Sequence, residues 1–272
     1  MKTFKPIQAE LIVTRKEYIT PHFVRIYLTG DNIYEFANTT IGVNNKILIP
    51  PNGVNKIHFP KLDIENHKII QAEPNVRPII RTYTHRGIDL AKNEIWIDFV
   101  AHGDEGPASS WAINAKKGNI LGVMMKSEKK ELYTKATNYL LVGDATAIPV
   151  LSSILEDLDA HEKGICIIEV NSKEDEQQLK TKADIQFIWL HNHNPQQKSD
   201  LAKVVKQQNL PQSDRSAYVA AEFSSVKEIR NYLRKDCNWN REEMYAFSYW
   251  KSGVAEDKSK DDRRMERDRD KD

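Results

Sequence analysis

Two rhythms of apolar and polar residues divide the chain. From about residue 7 to 130, apolar positions come in short alternating runs separated by turn residues, at 7–14, 23–28, 46–50, 78–83, 94–100 and 119–124. Alternation sends every second side chain to the same face, the period of a half-buried strand. Six short strands with few helices predict an antiparallel β-barrel. The polar, irregular stretch 52–71 reads as a long excursion from it. After Lys135 the rhythm changes to buried-strand runs at 139–143, 165–170, 187–190, 216–222 and 243–249, with helical spacing between them at 147–158, 201–207 and 225–235. Strands alternating with helices predict a parallel sheet covered on both faces. The expected organisation is therefore α/β plus β: a six-stranded antiparallel barrel over 5–130, then a parallel α/β domain of nucleotide-binding type over 136–258. The charged connection 128–135 marks the boundary, and 259–272 is a charged tail without an apolar stripe.

Composition narrows the function classes. A chain of 272 residues holds one large or two ordinary domains. Lys plus Arg number 40 against 39 acidic residues, a net charge of +1 that argues against a general nucleic-acid binder. Cys166 and Cys237 lie far apart with no CxxC pair, so a thiolate-built zinc or iron–sulfur site is not expected. His191 and His193 have no acidic or cysteine partner in their run, and no metal site is expected there. The stretch from Met1 to Pro6 lacks the apolar core of a signal peptide, and no run reaches the roughly 18 apolar residues of a membrane span. The expectation is a cytoplasmic protein that does not enter membranes, and a monomer, since no long apolar surface helix stands out.

The chemistry concentrates in two segments about twenty residues apart. Arg81-Thr82-Tyr83-Thr84 reads as a strand carrying a cation, an aromatic ring and a hydroxyl. His102-Gly103-Asp104-Glu105-Gly106-Pro107-Ala108-Ser109-Ser110-Trp111 reads as a turn opening a helix, whose first amides can hold an anion. Together they supply what a flavin dinucleotide needs, a pyrophosphate clamp and a surface for the ring. Strand alternation puts Arg81 and Tyr83 on one face and Thr84 on the other. In the second half, Gly143-Asp144-Ala145-Thr146-Ala147 ends the first buried strand, where open α/β sheets bind ligands. After the second strand, Glu169 favours an unphosphorylated ribose and Lys173 a phosphate, leaving NADH and NADPH both open.

A barrel followed by a parallel α/β domain resembles the ferredoxin–NADP reductase superfamily. Asp98-Phe99-Val100-Ala101-His102-Gly103, Gly106-Pro107-Ala108-Ser109-Ser110-Trp111-Ala112 and Tyr249-Trp250-Lys251-Ser252-Gly253-Val254-Ala255-Glu256 sharpen the likeness to the siderophore-interacting proteins, over about 5–258. The resemblance implies an FAD-dependent ferric-siderophore reductase fed by NADH or NADPH. In it Arg81, Gly106, Pro107, Ala108 and Ser109 hold the pyrophosphate, Tyr83 and Thr84 meet the ring, and His102 contacts the adenosine half. Gly143, Asp144 and Thr146 would hold the nicotinamide nucleotide, and Lys46, Lys126, Lys251 and Lys258 the ferric siderophore. The chain departs from the pattern at Ala145, where a glutamate is common, in lacking a G-x-G-x-x-G turn for the nicotinamide nucleotide, and at 123–127, which lacks a Gly-Pro-Arg-Gly loop. Those departures keep two alternatives open: a siderophore or flavin carrier without nicotinamide turnover, and a reductase driven by a ferredoxin.

Overall fold

The computed structural model describes residues 6–63, 66, 68–104, 106–195, 197–254, 256 and 265. The chain forms two compact units, Met1–Lys130 and Glu131–Asp272. Lys258 and, Met265 apart, the tail 259–272 lie outside the described residues.

In the first unit the chain runs through β1 (Pro6–Thr20), β2 (Phe23–Thr29), β3 (Asn44–Ile49), β4 (Lys61–Asp63), β5 (Lys68–Ile70), β6 (Ile79–Thr84), β7 (Gly87–Asp89), β8 (Glu94–Val100), helix α1 (Pro107–Asn114) and β9 (Ile120–Lys126). Seven of these strands pair antiparallel in the order β6-β3-β9-β1-β2-β8-β7. The expectation of a six-stranded antiparallel barrel is thus corrected to a curled seven-stranded antiparallel sheet whose ladder runs open from β6 to β7. The seventh strand is β7, three residues long and too short to show an alternation. The curl is visible in the Tyr83 and Phe99 rings: they meet at 4.5 Å although β6 and β8 are five places apart in the ladder. The excursion expected to be irregular carries a small hairpin of its own, β4 against β5. Strand β1 also runs six residues past its predicted end, because its polar second half still pairs with β2 through two register shifts.

Alternation explains the core. Leu11, Val13, Ile26, Leu28, Ile47, Ile95, Ile97, Leu121 and Val123 point to the same side and are all buried, each worth about 1.5–3 kcal/mol of transfer from water. At its edge His85 is buried against Phe36, with ring centroids 6.0 Å apart, and neither ring nitrogen has a hydrogen-bond partner among the described residues. Burial, with the Lys129 charge nearby, lowers the imidazole to about 4 from its usual 6.5. The unfolded chain therefore takes up this proton first, so stability is complete above about pH 6.5 and is lost as pH falls towards 4. The loss expected for this group is about 3 kcal/mol. His85→Phe keeps an aromatic ring and has no proton to take up. Its urea midpoint should change less between pH 7 and 4 than the wild-type midpoint, and equal slopes would remove His85 as the cause.

The second unit contains β10 (Asn138–Asp144), α2 (Ile148–Asp157), β11 (Lys163–Val170), β12 (Asp184–His191), α3 (Leu201–Lys206), β13 (Arg215–Ala220), α4 (Phe223–Lys235) and β14 (Met244–Ala246). Its five strands are parallel, in the order β12-β11-β10-β13-β14. Counted along the unit this is 3-2-1-4-5, with the order reversing between β10 and β13. Ligands of open α/β sheets bind at such a switch point, outside the carboxyl ends of the strands. Strand β13 stops at Ala220, short of its predicted end at 222, because the Glu222 carboxylate caps α4 by accepting from the Ser224 amide at 2.6 Å. Beyond Ala246 the chain keeps an extended course along β13, with Phe247 N–H donating to Val219 O at 3.0 Å and Tyr249 N–H to Ala221 O at 2.9 Å. No described helix is long and apolar enough to cross a membrane.

Candidate functional site

In the first unit the expected anion site is the start of α1. Gly106 is its N-cap and brings no side chain to the first amides, while Pro107 at the first position has no N–H to satisfy. The Ala108 and Ser109 amides are the donors that a helix start leaves without an intrahelical acceptor. The Ser109 hydroxyl is already engaged: it accepts from His102 N–H at 3.0 Å and donates to Gly103 O at 2.8 Å. Its side chain therefore staples the turn, and its amide is the part available to an anion. His102 is exposed with its imidazole against Gly106, where a Cβ would stand 2.7 Å from the ring. These features fit a dinucleotide phosphate: a glycine at the N-cap, two amides without an intrahelical acceptor at the start of a helix, and no acidic residue in the first turn.

Tyr83 is joined to this helix through the core, with its ring 4.5 Å from that of Phe99 and the Phe99 ring 5.6 Å from that of Trp111. Trp111, Pro107 and Ser110 in turn line a groove of about 940 Å³ along α1, together with Ile49 and Ile79. That volume lies within the range of ligand clefts, about 300–1,000 Å³. Phe99 and Trp111 belong to motifs legible in the sequence, but their role as a link between Tyr83 and α1 shows no signal there. Arg81 is half-buried on β6 and donates from Nη1 to Ile80 O at 2.8 Å.

Register settles the faces of the sheet. Arg81 pairs with Ile47 and Tyr83 with Asn45, both on the core side. Lys46 pairs with Thr82 and with Met124, and its ammonium donates to the Thr82 hydroxyl. Lys126 is two residues beyond Met124, so it shares the face of Lys46, Thr82 and Thr84. The structure thus brings Lys46 and Lys126 to one face and sets Arg81 and Tyr83 on the other. Lys126 also pairs with Glu128 at 3.6 Å.

In the second unit Gly143 and Asp144 end β10 at the switch point. A Cβ on Gly143 would stand 2.5 Å from Ala147 Cβ and 3.0 Å from Ala220 O, so this glycine lets the turn into α2 close down on the sheet. Asp144 has only 8 % of its surface exposed, and its carboxylate is filled by protein donors. Oδ1 accepts from the Thr146 amide at 2.9 Å and the Thr146 hydroxyl at 2.5 Å. Oδ2 accepts from the Glu222 amide at 2.9 Å and the Trp250 indole at 2.7 Å. Burial pushes this carboxyl above its usual range, and the bonds from Thr146 and Trp250 oppose the shift. Asp144 and Thr146 shape the turn rather than reaching out of it.

Trp250 is held from three sides: its indole on Asp144, its carbonyl accepting from Phe223 N–H at 2.9 Å, and a parallel bridge to Glu222. That anchorage places Lys251, whose ammonium lies 5.0 Å from the centre of the Phe223 ring. The motif around Trp250 is readable in the sequence, but its bond to a residue 106 positions earlier is not.

The family model described as siderophore-interacting FAD-binding domain matches residues 12–127, and that of the siderophore-interacting protein matches 136–253. The chain is 31% identical over 253 residues to the ferric vibriobactin reductase ViuB of Vibrio cholerae, covering 92% of each. It is 26% identical over 193 residues to the ferric acinetobactin reductase of Acinetobacter baumannii, covering 69% of this chain and 66% of that one. The crystal structure of the siderophore-interacting protein SipS from Aeromonas hydrophila superposes with a TM-score of 0.82 at 28% identity, covering 97% of this chain and 99% of that one.

Proposed function

The chain belongs to the siderophore-interacting protein family, and from that premise we propose that its two units divide one reaction between them. The protein is a flavin-dependent ferric-siderophore reductase, an oxidoreductase with FAD as its cofactor. The observation that carries this reading is the relationship to a ferric vibriobactin reductase over 92% of both chains. Bound FAD would couple a two-electron nicotinamide donor to one-electron reduction of iron.

The first unit holds the flavin. Arg81 offers a fork of donors to the pyrophosphate, and the Ala108 and Ser109 amides add the partial positive charge of a helix start. Tyr83, braced from behind by Phe99, gives the ring a flat surface, and Thr84, buried with its side chain on the opposite face of β6, would meet the ring through its backbone. The turn at 143–147 in the second unit receives the nicotinamide nucleotide of NADH or NADPH, with Asp144 and Thr146 setting its shape. Lys46 and Lys126 in the first unit give it positive charge that draws in the ferric chelate, which is often anionic, and Lys251 gives the second unit a cation of its own for the same ligand class. Siderophores grip ferric iron through hard oxygen donors, and ferrous iron is held far less tightly, so reduction releases the metal without any protein ligand to it.

An anaerobic mixture of the FAD-loaded protein with NADH or NADPH should bleach, then recover its colour on addition of ferric siderophore while a ferrous trap reports the product. A protein that takes up no FAD would overturn the reading. In the same assay, replacing Lys46 and Lys251 together by alanine should weaken the affinity for an anionic ferric siderophore about tenfold, the effect of removing two charges near water. Flavin content should stay at the wild-type level. Unchanged affinity would put the substrate on another surface.

A further inference from the structure

We infer that the protein takes NADH in preference to NADPH, and that Glu169 makes the selection, an inference resting on the second unit's holding the nicotinamide nucleotide. In sheets of this order the dinucleotide lies across the carboxyl ends of the strands. An acidic residue at the end of the second strand accepts from the ribose 2′-hydroxyl, whereas a 2′-phosphate needs an arginine. The second strand of this unit is β11, and Glu169 is its last residue but one. It is buried and paired in register with Asp144, so two carboxylates stand side by side at the rim.

The two differ in what they can still accept. Asp144 has four donors. Glu169 has two from described side chains, the Asn192 amide at 3.2 Å and the Ser199 hydroxyl at 2.8 Å, and both are neutral. A carboxylate accepts about four hydrogen bonds, which leaves Glu169 able to take a ribose hydroxyl. A 2′-phosphate at the same place would meet a fixed negative charge.

The turn that follows closes the other route to a phosphate. Ser172 is where a hydroxyl and an amide could bind one, but both already donate to Asp175 Oδ2, at 2.9 and 3.2 Å. At the end of the neighbouring strand β12, His191 Nε2 lies 2.8 Å from Glu176 Oε1, so a charge on that imidazole would be answered locally. Residues 169–176 carry four carboxylates (Glu169, Glu174, Asp175 and Glu176) against a single lysine, Lys173, which is exposed on the turn. Like charges facing one another reject a ligand more effectively than a lost contact does.

The test uses the FAD-loaded, full-length protein. Calorimetry with ADP-ribose and with its 2′-phosphate reads binding alone, and anaerobic flavin bleaching by NADH and by NADPH below saturation reads delivery. ADP-ribose should bind about tenfold more tightly than its 2′-phosphate, and NADH should bleach faster by a similar factor. Glu169→Gln, which keeps the shape and one acceptor, should narrow both ratios to about threefold. Lys173→Glu, at an exposed position that leaves the core alone, should widen them. Equal or tighter binding of the 2′-phosphate, or a faster NADPH, would overturn the inference while leaving the reductase intact. Flavin that is bound but bleached by neither nucleotide would overturn the nicotinamide reading and the inference with it.

Discussion

Arg81→Ala is expected to purify folded and colourless. The guanidinium would meet the FAD pyrophosphate through charge-assisted, bidentate hydrogen bonds, and each such bond to a charged group is worth about 1.5–3 kcal/mol. Losing two of them should weaken FAD binding by at least about a hundredfold. Folding should suffer little, because Arg81 sits half-buried on β6, an end strand of the ladder, and its substitution leaves the core side chains in place. A loss of about 1 kcal/mol or less is expected. Arg81→Lys retains the charge without the fork and should fall between the two. The measurements are the ratio of flavin to protein absorbance after purification, FAD titration of the apoprotein, and circular dichroism. Wild-type flavin occupancy in Arg81→Ala would remove this residue from the clamp.

Asp144→Ala should destabilise the second unit by about 3–5 kcal/mol, because it leaves several buried donors without their acceptor. The carboxylate is the common acceptor for Thr146, Glu222 and Trp250, and each buried donor left without an acceptor costs about 1–3 kcal/mol. Native domains are stable by only about 5–15 kcal/mol in all, so the urea midpoint should drop sharply. Asp144→Asn should recover little, since its amide nitrogen would face donors on at least one side. Trp250→Phe removes a single donor and should cost less, and the pair should be non-additive in a double-mutant cycle, as expected for residues sharing a bond. An Asp144→Ala protein within 1 kcal/mol of wild type would show that the four bonds contribute little.

The local rhythm of the chain made most of the fold legible. The runs around Leu140–Val142, Cys166–Ile168 and Ala217–Val219 are apolar on both sides, as strands covered on two faces must be. Alternation in the first half carried five of its seven sheet strands near their final bounds. The second half of β1 carries no apolar alternation, and β7 is three residues long, so each depends on the neighbour it pairs with. In the site, residue types and spacing were readable at Arg81, Tyr83, Gly106 and the turn after β10. Their partners were not.

Sequence by itself determined the two kinds of domain and the inventory of cations, amides and rings available for chemistry, because apolar periodicity and turn residues act over a few positions. Tertiary structure alone decided what those groups can reach. Register put Lys46 and Lys126 on one face and Arg81 on the other; the curl of the sheet brought Phe99 between Tyr83 and Trp111; the strand order set Asp144 beneath Trp250 and Glu169 beside it. Each of these is a pairing between residues far apart in the chain, and it is fixed by burial and hydrogen bonding summed over whole strands, which no short stretch of sequence contains.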